Sequence, residues 1–287
     1  MVRFTQPAEF NDPFELRPHI KGLADDATIT TQHAIAFQNE SIEDHARLAI
    51  EKLQLAPEQC SRINPSQVAK EISNRAGDVL ELVRIISNGL GPAVSSQMNR
   101  IFNDNLGIFC LTEDPTNLLM WAHYADHHRG VVIEFDETHT FFNQRKGPQD
   151  DLRHFRKVNY TDVRPSVFLS LSDAIQVFYT KSCEWEYERE WRLITPLTDA
   201  AIQDENPGGP PIALFELPSE ALVGVTTGCR IDHVMSFDLA RLIRTNPAFQ
   251  HVKFERVELD ERRFDLHRLA VARDVIDAWL EKAMGLL

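Results

Sequence analysis

Ten consecutive residues carry the side chains most suited to chemistry: Trp185-Glu186-Tyr187-Glu188-Arg189-Glu190-Trp191-Arg192-Leu193-Ile194. Read with a period of two, Glu186, Glu188, Glu190 and Arg192 share one side, opposite Trp185, Tyr187, Arg189, Trp191 and Leu193. The pattern predicts an extended strand with three carboxylates and a guanidinium on one face, over a face of aromatic rings. Like charges at neighbouring positions of one face repel, so stability alone seldom selects them. Such a group can bind a cation or stabilise developing positive charge. A solvated strand face with Arg192 paired to a glutamate is the structural alternative, and the spacing leaves both open.

The second chemically suggestive segment is Met120-Trp121-Ala122-His123-Tyr124-Ala125-Asp126-His127-His128-Arg129-Gly130. His123 and His127 are four apart and would share a helix face, a spacing that can hold a metal. No HExxH pattern accompanies them and no Cys or His group elsewhere completes a ligand set, so no metal is expected. Trp121 and Tyr124 are read as packing the segment onto a sheet, and the histidines as hydrogen-bonding groups that can meet a polar ligand. Neither GxGxxG nor GxxxxGK[ST] occurs, and the GxSxG elbow is missing. Those absences disfavour Rossmann dehydrogenases, P-loop nucleotide enzymes and α/β-hydrolases. Cys110 and Cys183 read as structural thiols, because nothing beside them in sequence lowers a thiol pKa.

The elements that must position these residues follow from periodicity. Val2 to Thr5 reads as extended, and Asn11-Asp12-Pro13 as a turn pinned to a core by Phe10 and Phe14. A helical block is expected over about residues 30–104, with helices starting at Ser41, over Pro65 to Asn88 and over Ala93 to Phe102. Strands are expected at Gly107–Thr112, Gly130–Asp136, Arg156–Tyr160, Ala213–Leu217, Leu222–Thr227 and Val252–Val257. Short helices fit Thr116–Ala125, Asp173–Tyr179 and Asp238–Thr245. A final helix is placed over Leu266 to Met284, and Asn206 to Pro211 reads as a loop. Strands mixed irregularly with helical blocks indicate an α+β fold with a mixed, mainly antiparallel sheet, a helical insertion and a C-terminal helix. No internal repeat or interdomain linker is evident, so one domain over 1–287 is expected, with a helical subdomain at 30–104.

Composition is that of a globular chain: 43 % hydrophobic and 25 % charged over 287 residues. No run approaches the roughly 18 apolar residues of a membrane span, and no apolar signal region opens the chain, so a cytoplasmic protein without membrane attachment is expected. The net charge of −13, with no basic run of five, argues against broad binding to nucleic-acid backbone. Four scattered cysteines suggest neither a disulfide framework nor a zinc site.

Several segments taken together resemble one bacterial family, the domain of unknown function 2971. They are Phe10-Asn11-Asp12-Pro13-Phe14-Glu15, Phe109-Cys110-Leu111-Thr112, Leu119 to Ala125, His128 to Phe135, Val158-Asn159-Tyr160, Tyr179-Thr180-Lys181 and Trp185 to Arg192. The resemblance spans residues 2 to about 265. Members usually begin with a Tyr- and Arg/Lys-rich strand and a helix before the Asn-Asp-Pro turn; this chain opens almost at that turn, which suggests an upstream start or a lost element. The resemblance implies an accessory of mobile elements, in phage defence or a toxin system.

Glu188-Arg189-Glu190 also resembles the glutamate-x-glutamate element of ADP-ribosyltransferases. That likeness implies NAD as co-substrate, Glu190 stabilising the ribose cation and Glu188 orienting or deprotonating a small-molecule or protein acceptor. It further implies Arg192 on a phosphate, Trp121, His123 or Tyr124 at the nicotinamide end, and Asn11 as a further ligand contact. On this reading Glu190→Gln abolishes function with the fold intact. A non-catalytic interaction or sensor protein using the acidic face is the alternative, with graded, salt-sensitive losses. A metal-dependent nuclease built from Glu188, Glu190 and Asp126 is the third and weakest. Trp185 and Trp191 are expected in the core in every case.

Overall fold

The computed structural model describes residues 1–17, 19–22, 25–31, 64–74, 80–81, 91–148, 150–168 and 172–284. Its strands run Val2–Phe4 (β1), His19–Gly22 (β2), Leu106–Thr112 (β3), Val131–Phe135 (β4), Arg156–Lys157 (β5), Asn159–Tyr160 (β6) and Ser166–Phe168 (β7). They continue with Thr180–Lys181 (β8), Glu190–Pro196 (β9), Ile202–Asp204 (β10), Ile212–Phe215 (β11), Leu222–Thr227 (β12), Lys253–Leu259 (β13) and Leu266–Ala270 (β14). The helices are Pro65–Asn74 (α1), Gly91–Asn105 (α2), Leu118–Tyr124 (α3), His233–Thr245 (α4) and Arg273–Met284 (α5). The fold is α+β with mostly antiparallel pairing. Among the described residues no helix is long and apolar enough to cross a membrane.

Two units are distinguished. One comprises Met1–Glu15, Ile101–Val163 and Tyr179–Leu287. In it β9 lies between β3 and β5, antiparallel to both, and β1 pairs with β11, which pairs with β10. A bridge between Thr5 and Ile108 joins these sheets. A four-stranded sheet runs β14-β13-β12-β4, with only β12 and β13 parallel. The other unit comprises Leu16–Arg100 and Arg164–Phe178. There β2 pairs in parallel with β7, and Ile20 and Val177 are buried with Met98 against them.

Alternation explains the first core. Phe4 faces inward from β1 and stacks 4.1 Å from Phe215 and 5.2 Å from Phe109, ring centre to ring centre. Phe141, Phe142, Leu193, Leu197, Ala213 and Ala221 complete the cluster. The close approach of β1 to β3 requires glycine at 107, where a Cβ would meet the Phe4 Cβ at 2.8 Å. On the four-stranded sheet, Ala240 and Ile243 of α4 and Ile276 of α5 cover Val225, Val252 and Phe254. Full burial of one such side chain stabilises by about 2 kcal/mol.

Several expectations need correction. The final helix over Leu266–Met284 is a strand, β14, followed by α5 from Arg273; Leu266 is buried while His267 is exposed, an alternation that suits the antiparallel partner β13. Phe14 does not pin the Asn-Asp-Pro turn, being 60 % exposed. The turn is held by Asp12, whose side chain accepts from the Phe14 N–H at 2.8 Å. The helix expected from Ser41 and the stretches 75–79 and 82–88 of the second helix lie outside the described residues; α1 and α2 are the described helices of that block.

Candidate functional site

The acidic segment is not one strand. Cys183–Glu188 forms a 3-10 helix capped by the Ser182 side chain, which accepts from the Glu184 N–H. Arg189 ends it in the left-handed conformation, φ 44° and ψ 51°, and β9 starts at Glu190. The left-handed residue costs roughly 1–2 kcal/mol for a side chain with a Cβ. It separates the fates of the carboxylates: Glu184 and Glu186 are exposed, while Glu188 and Glu190 are buried. The expected face of three carboxylates is therefore not formed, and a sensor using it would lack two of its three charges.

Glu188 and Glu190 still converge, on Lys181 of β8. The Lys181 ammonium lies 2.6 Å from Glu188 Oε2, 3.3 Å from Glu190 Oε2 and 3.6 Å from Glu15 Oε2. Arg192 donates to both Glu190 oxygens, from Nε at 2.8 Å and from Nη2 at 2.9 Å, and its Nη1 lies 2.7 Å from Glu15 Oε1. All five side chains are at most 6 % exposed. Three carboxylates thus share two cations away from water, where an uncompensated charge costs several kcal/mol.

The titration behaviour follows. Burial opposes charge on Glu190, but Arg192 and Lys181 overcome it and hold the carboxyl at about 2. Glu15 is raised, because burial outweighs its pairing with Arg192 and Lys181. Burial also opposes charge on Lys181, and Glu190, Glu15 and Glu188 reverse this and raise its pKa. Burial and the Glu190 charge push the Cys110 thiol well above its usual range, so it is not a poised nucleophile.

Tyr124 links the network to solvent. Its side of α3 is set by Asn117, whose side chain accepts from the N–H groups of Leu119 and Met120. The Tyr124 hydroxyl donates to Glu188 Oε1 at 2.6 Å and accepts from Asn11 Nδ2 at 3.1 Å, and the residue is 52 % exposed. Burial and the Glu188 bond raise its pKa, keeping it a donor. Exposed His123 places its ring 6.3 Å from that of Tyr124 and 6.4 Å from that of Tyr187. Tyr160 accepts from the Glu190 N–H at 2.8 Å, and burial pushes its pKa up to about 12.

The sequence-predicted ligand residues thus divide. Asn11, His123, Tyr124 and Glu188 come together at one edge. Glu190 and Arg192 lie beneath, committed to each other. Arg192 is 0 % exposed and spends Nε and Nη2 on Glu190 and Nη1 on Glu15, so its guanidinium is committed to carboxylates rather than to a phosphate. Trp121 is 1 % exposed, with its indole N–H donated to the Pro115 carbonyl at 2.8 Å, and packs in the core with Ala125, Val257 and Leu266 rather than against a ligand. The core tryptophan is therefore this one. Trp185 and Trp191 are half-buried, Trp185 with its ring 4.8 Å from the Lys181 ammonium and Trp191 stacked on Phe155.

His123 and His127 do not share a helix face, because α3 ends at Tyr124 and Asp126, His127 and His128 all have positive φ. Asp126 pairs with Arg129 on that exposed turn. Among the described residues no group of three His, Cys, Asp or Glu is placed to hold a metal. Lys181, Glu15 and Tyr160 went unassigned in the sequence. For Lys181 the signal was electrostatic: carboxylates this closely spaced need countercharge, and Lys181 is the nearest upstream lysine.

Residues 120–193 match the family described as "Protein of unknown function (DUF2971)". The matched DUF2971 segment contains Tyr124, Tyr160, Lys181, Glu188, Glu190 and Arg192, so the site is built largely from it, with Asn11, Glu15 and Cys110 added from outside. The chain matches no curated protein and no solved structure.

Proposed function

We propose that the edge formed by Glu188, Tyr124, Asn11 and His123 is the reaction centre of an ADP-ribosyl-transfer enzyme using NAD. The observation that carries this reading is the 2.6 Å bond from a half-exposed phenol to a buried carboxylate that Lys181 keeps in place. A ribose hydroxyl can donate to Glu188 Oε1 beside the phenol, which keeps the carboxylate oriented. As the C–N bond to nicotinamide breaks and the ribose gains positive charge, that carboxylate stabilises it in a site of low dielectric. The exposed rings of His123 and Tyr124, with half-buried Tyr187 beside them, offer flat surfaces to the nicotinamide.

Roles shift accordingly from those suggested by spacing alone. Glu188 takes the cation-stabilising part and Glu190 becomes a positioning residue that fixes Lys181 and Arg192. On this reading the ribosyl acceptor is a small molecule or a protein, and the enzyme serves a phage-defence or toxin system. Calorimetric titration with NAD tests the reading. Saturable binding by the wild type, weakened at least tenfold in Tyr124→Phe or Asn11→Ala, is expected; no binding overturns it.

A further inference from the structure

Strand β5 and the loop before it carry a second polar cluster, which the Glu188 edge does not use. His154 Nδ1 donates to the Leu152 carbonyl at 2.8 Å, leaving Nε2 as the ring's acceptor. Arg156 Nε donates to that nitrogen at 2.5 Å, and Arg145 Nη2 is directed at the same atom. A neutral imidazole nitrogen has one lone pair, so it cannot serve two guanidiniums. Asp151 takes Arg156 Nη2 at 2.9 Å, while Arg145 has no carboxylate partner among the described residues. Two guanidinium charges therefore face one carboxylate.

Tyr179 supplies an independent sign. It is 3 % exposed, and the Arg156 guanidinium lies 5.3 Å from its ring centre. Its hydroxyl is buried with no hydrogen-bond partner among the described residues, in the field of Arg156, Arg192, Asp151 and Arg145. A buried hydroxyl left unsatisfied costs about 1–3 kcal/mol. Both the surplus guanidinium N–H groups and the idle phenol lack the same thing, an anionic acceptor. Arg145 and Asp151 are exposed, so the cluster opens to solvent.

We propose that Arg145, Arg156 and the Tyr179 hydroxyl form a binding site for a phosphate group. Guanidinium forks match phosphate oxygens in bidentate fashion, and a tetrahedral dianion accepts donors from three directions where a planar carboxylate would not. The site stands on its own observations and does not depend on NAD chemistry at Glu188. The group is either free phosphate or the phosphate of a nucleotide.

Calorimetry with inorganic phosphate and, separately, with ADP-ribose tests the assignment on the full chain, using Arg145→Ala, whose exposed side chain makes it safe for folding, and Tyr179→Phe. Saturable binding of at least one probe is expected, weakened at least tenfold in Arg145→Ala and severalfold in Tyr179→Phe. Tighter binding of ADP-ribose assigns a nucleotide source, and tighter binding of phosphate a free ion. No saturable binding of either probe, or equal binding by wild type and Arg145→Ala, overturns the site.

Discussion

Lys181 and Glu188 form a buried ion pair, 2.6 Å between Nζ and Oε2, in which each side chain is 4 % exposed. The lysine reaches its partner from an adjacent strand pair and is covered by the Trp185 ring. This pair holds Glu188 under the Tyr124 phenol, and so fixes the edge on which the proposed reaction depends. Lys181→Met should therefore destabilise the fold by about 3 kcal/mol, since it leaves Glu188 buried without its cation. A urea melt gives the value; a change under 1 kcal/mol would show that Lys181 is replaceable.

Glu190→Gln should act on stability first. Arg192 is fully buried and would lose the Glu190 charge, keeping Glu15 as a counter-ion at 2.7 Å. A loss of about 3–5 kcal/mol is expected, read from denaturant midpoints. An unchanged midpoint would return Glu190 to the purely catalytic role that its spacing suggested.

Arg189→Gly should stabilise the protein by about 1 kcal/mol, because φ 44° is open to glycine without a Cβ clash. The arginine loses little, as its side chain is 59 % exposed and 3.8 Å from Asp114. A decrease in melting temperature would contradict the turn geometry.

Acid should unfold the protein through Glu190. Its folded pKa, about 2, lies below the ordinary 4.5, so its contribution is fully present above 4.5 and is lost as pH falls through 2. Glu15 has the opposite sign: raised in the fold, it is destabilising once ionised, so protonating it as pH falls offsets part of that loss. Stability measured from pH 5 to 2 should fall, and the fall should be smaller in Glu190→Gln. Equal slopes in the two proteins would show that Glu190 is not the group responsible.

Much of the scaffold was legible in sequence because short, β-branched or aromatic apolar runs behind glycine, such as Gly107-Ile108-Phe109 and Gly130-Val131-Val132-Ile133, favour strands, the first buried and the second half-buried. The site was legible in composition and not in geometry. Glu188 and Glu190 share a parity, which predicts a shared strand face, yet a single left-handed residue between them breaks the strand and leaves the two carboxylates to meet through Lys181. Nothing local marks Arg189 for that conformation. Leu266–Met284 failed differently: alternation over five residues gave way to helical spacing after Val271, and a single period was read across both. Trp121 was read both as packing onto the sheet and, from the transferase likeness, as a nicotinamide contact, because aromatic residues serve cores and sites alike; tertiary packing decides for the core.

The most direct test is nicotinamide release from NAD by wild type, Glu188→Gln and Tyr124→Phe, with the melting temperature of each recorded. Slow, saturable release by the wild type, reduced at least a hundredfold in Glu188→Gln and at least tenfold in folded Tyr124→Phe, is the predicted result. No release by the wild type, or undiminished release by folded Glu188→Gln, would contradict a reaction centre at Glu188.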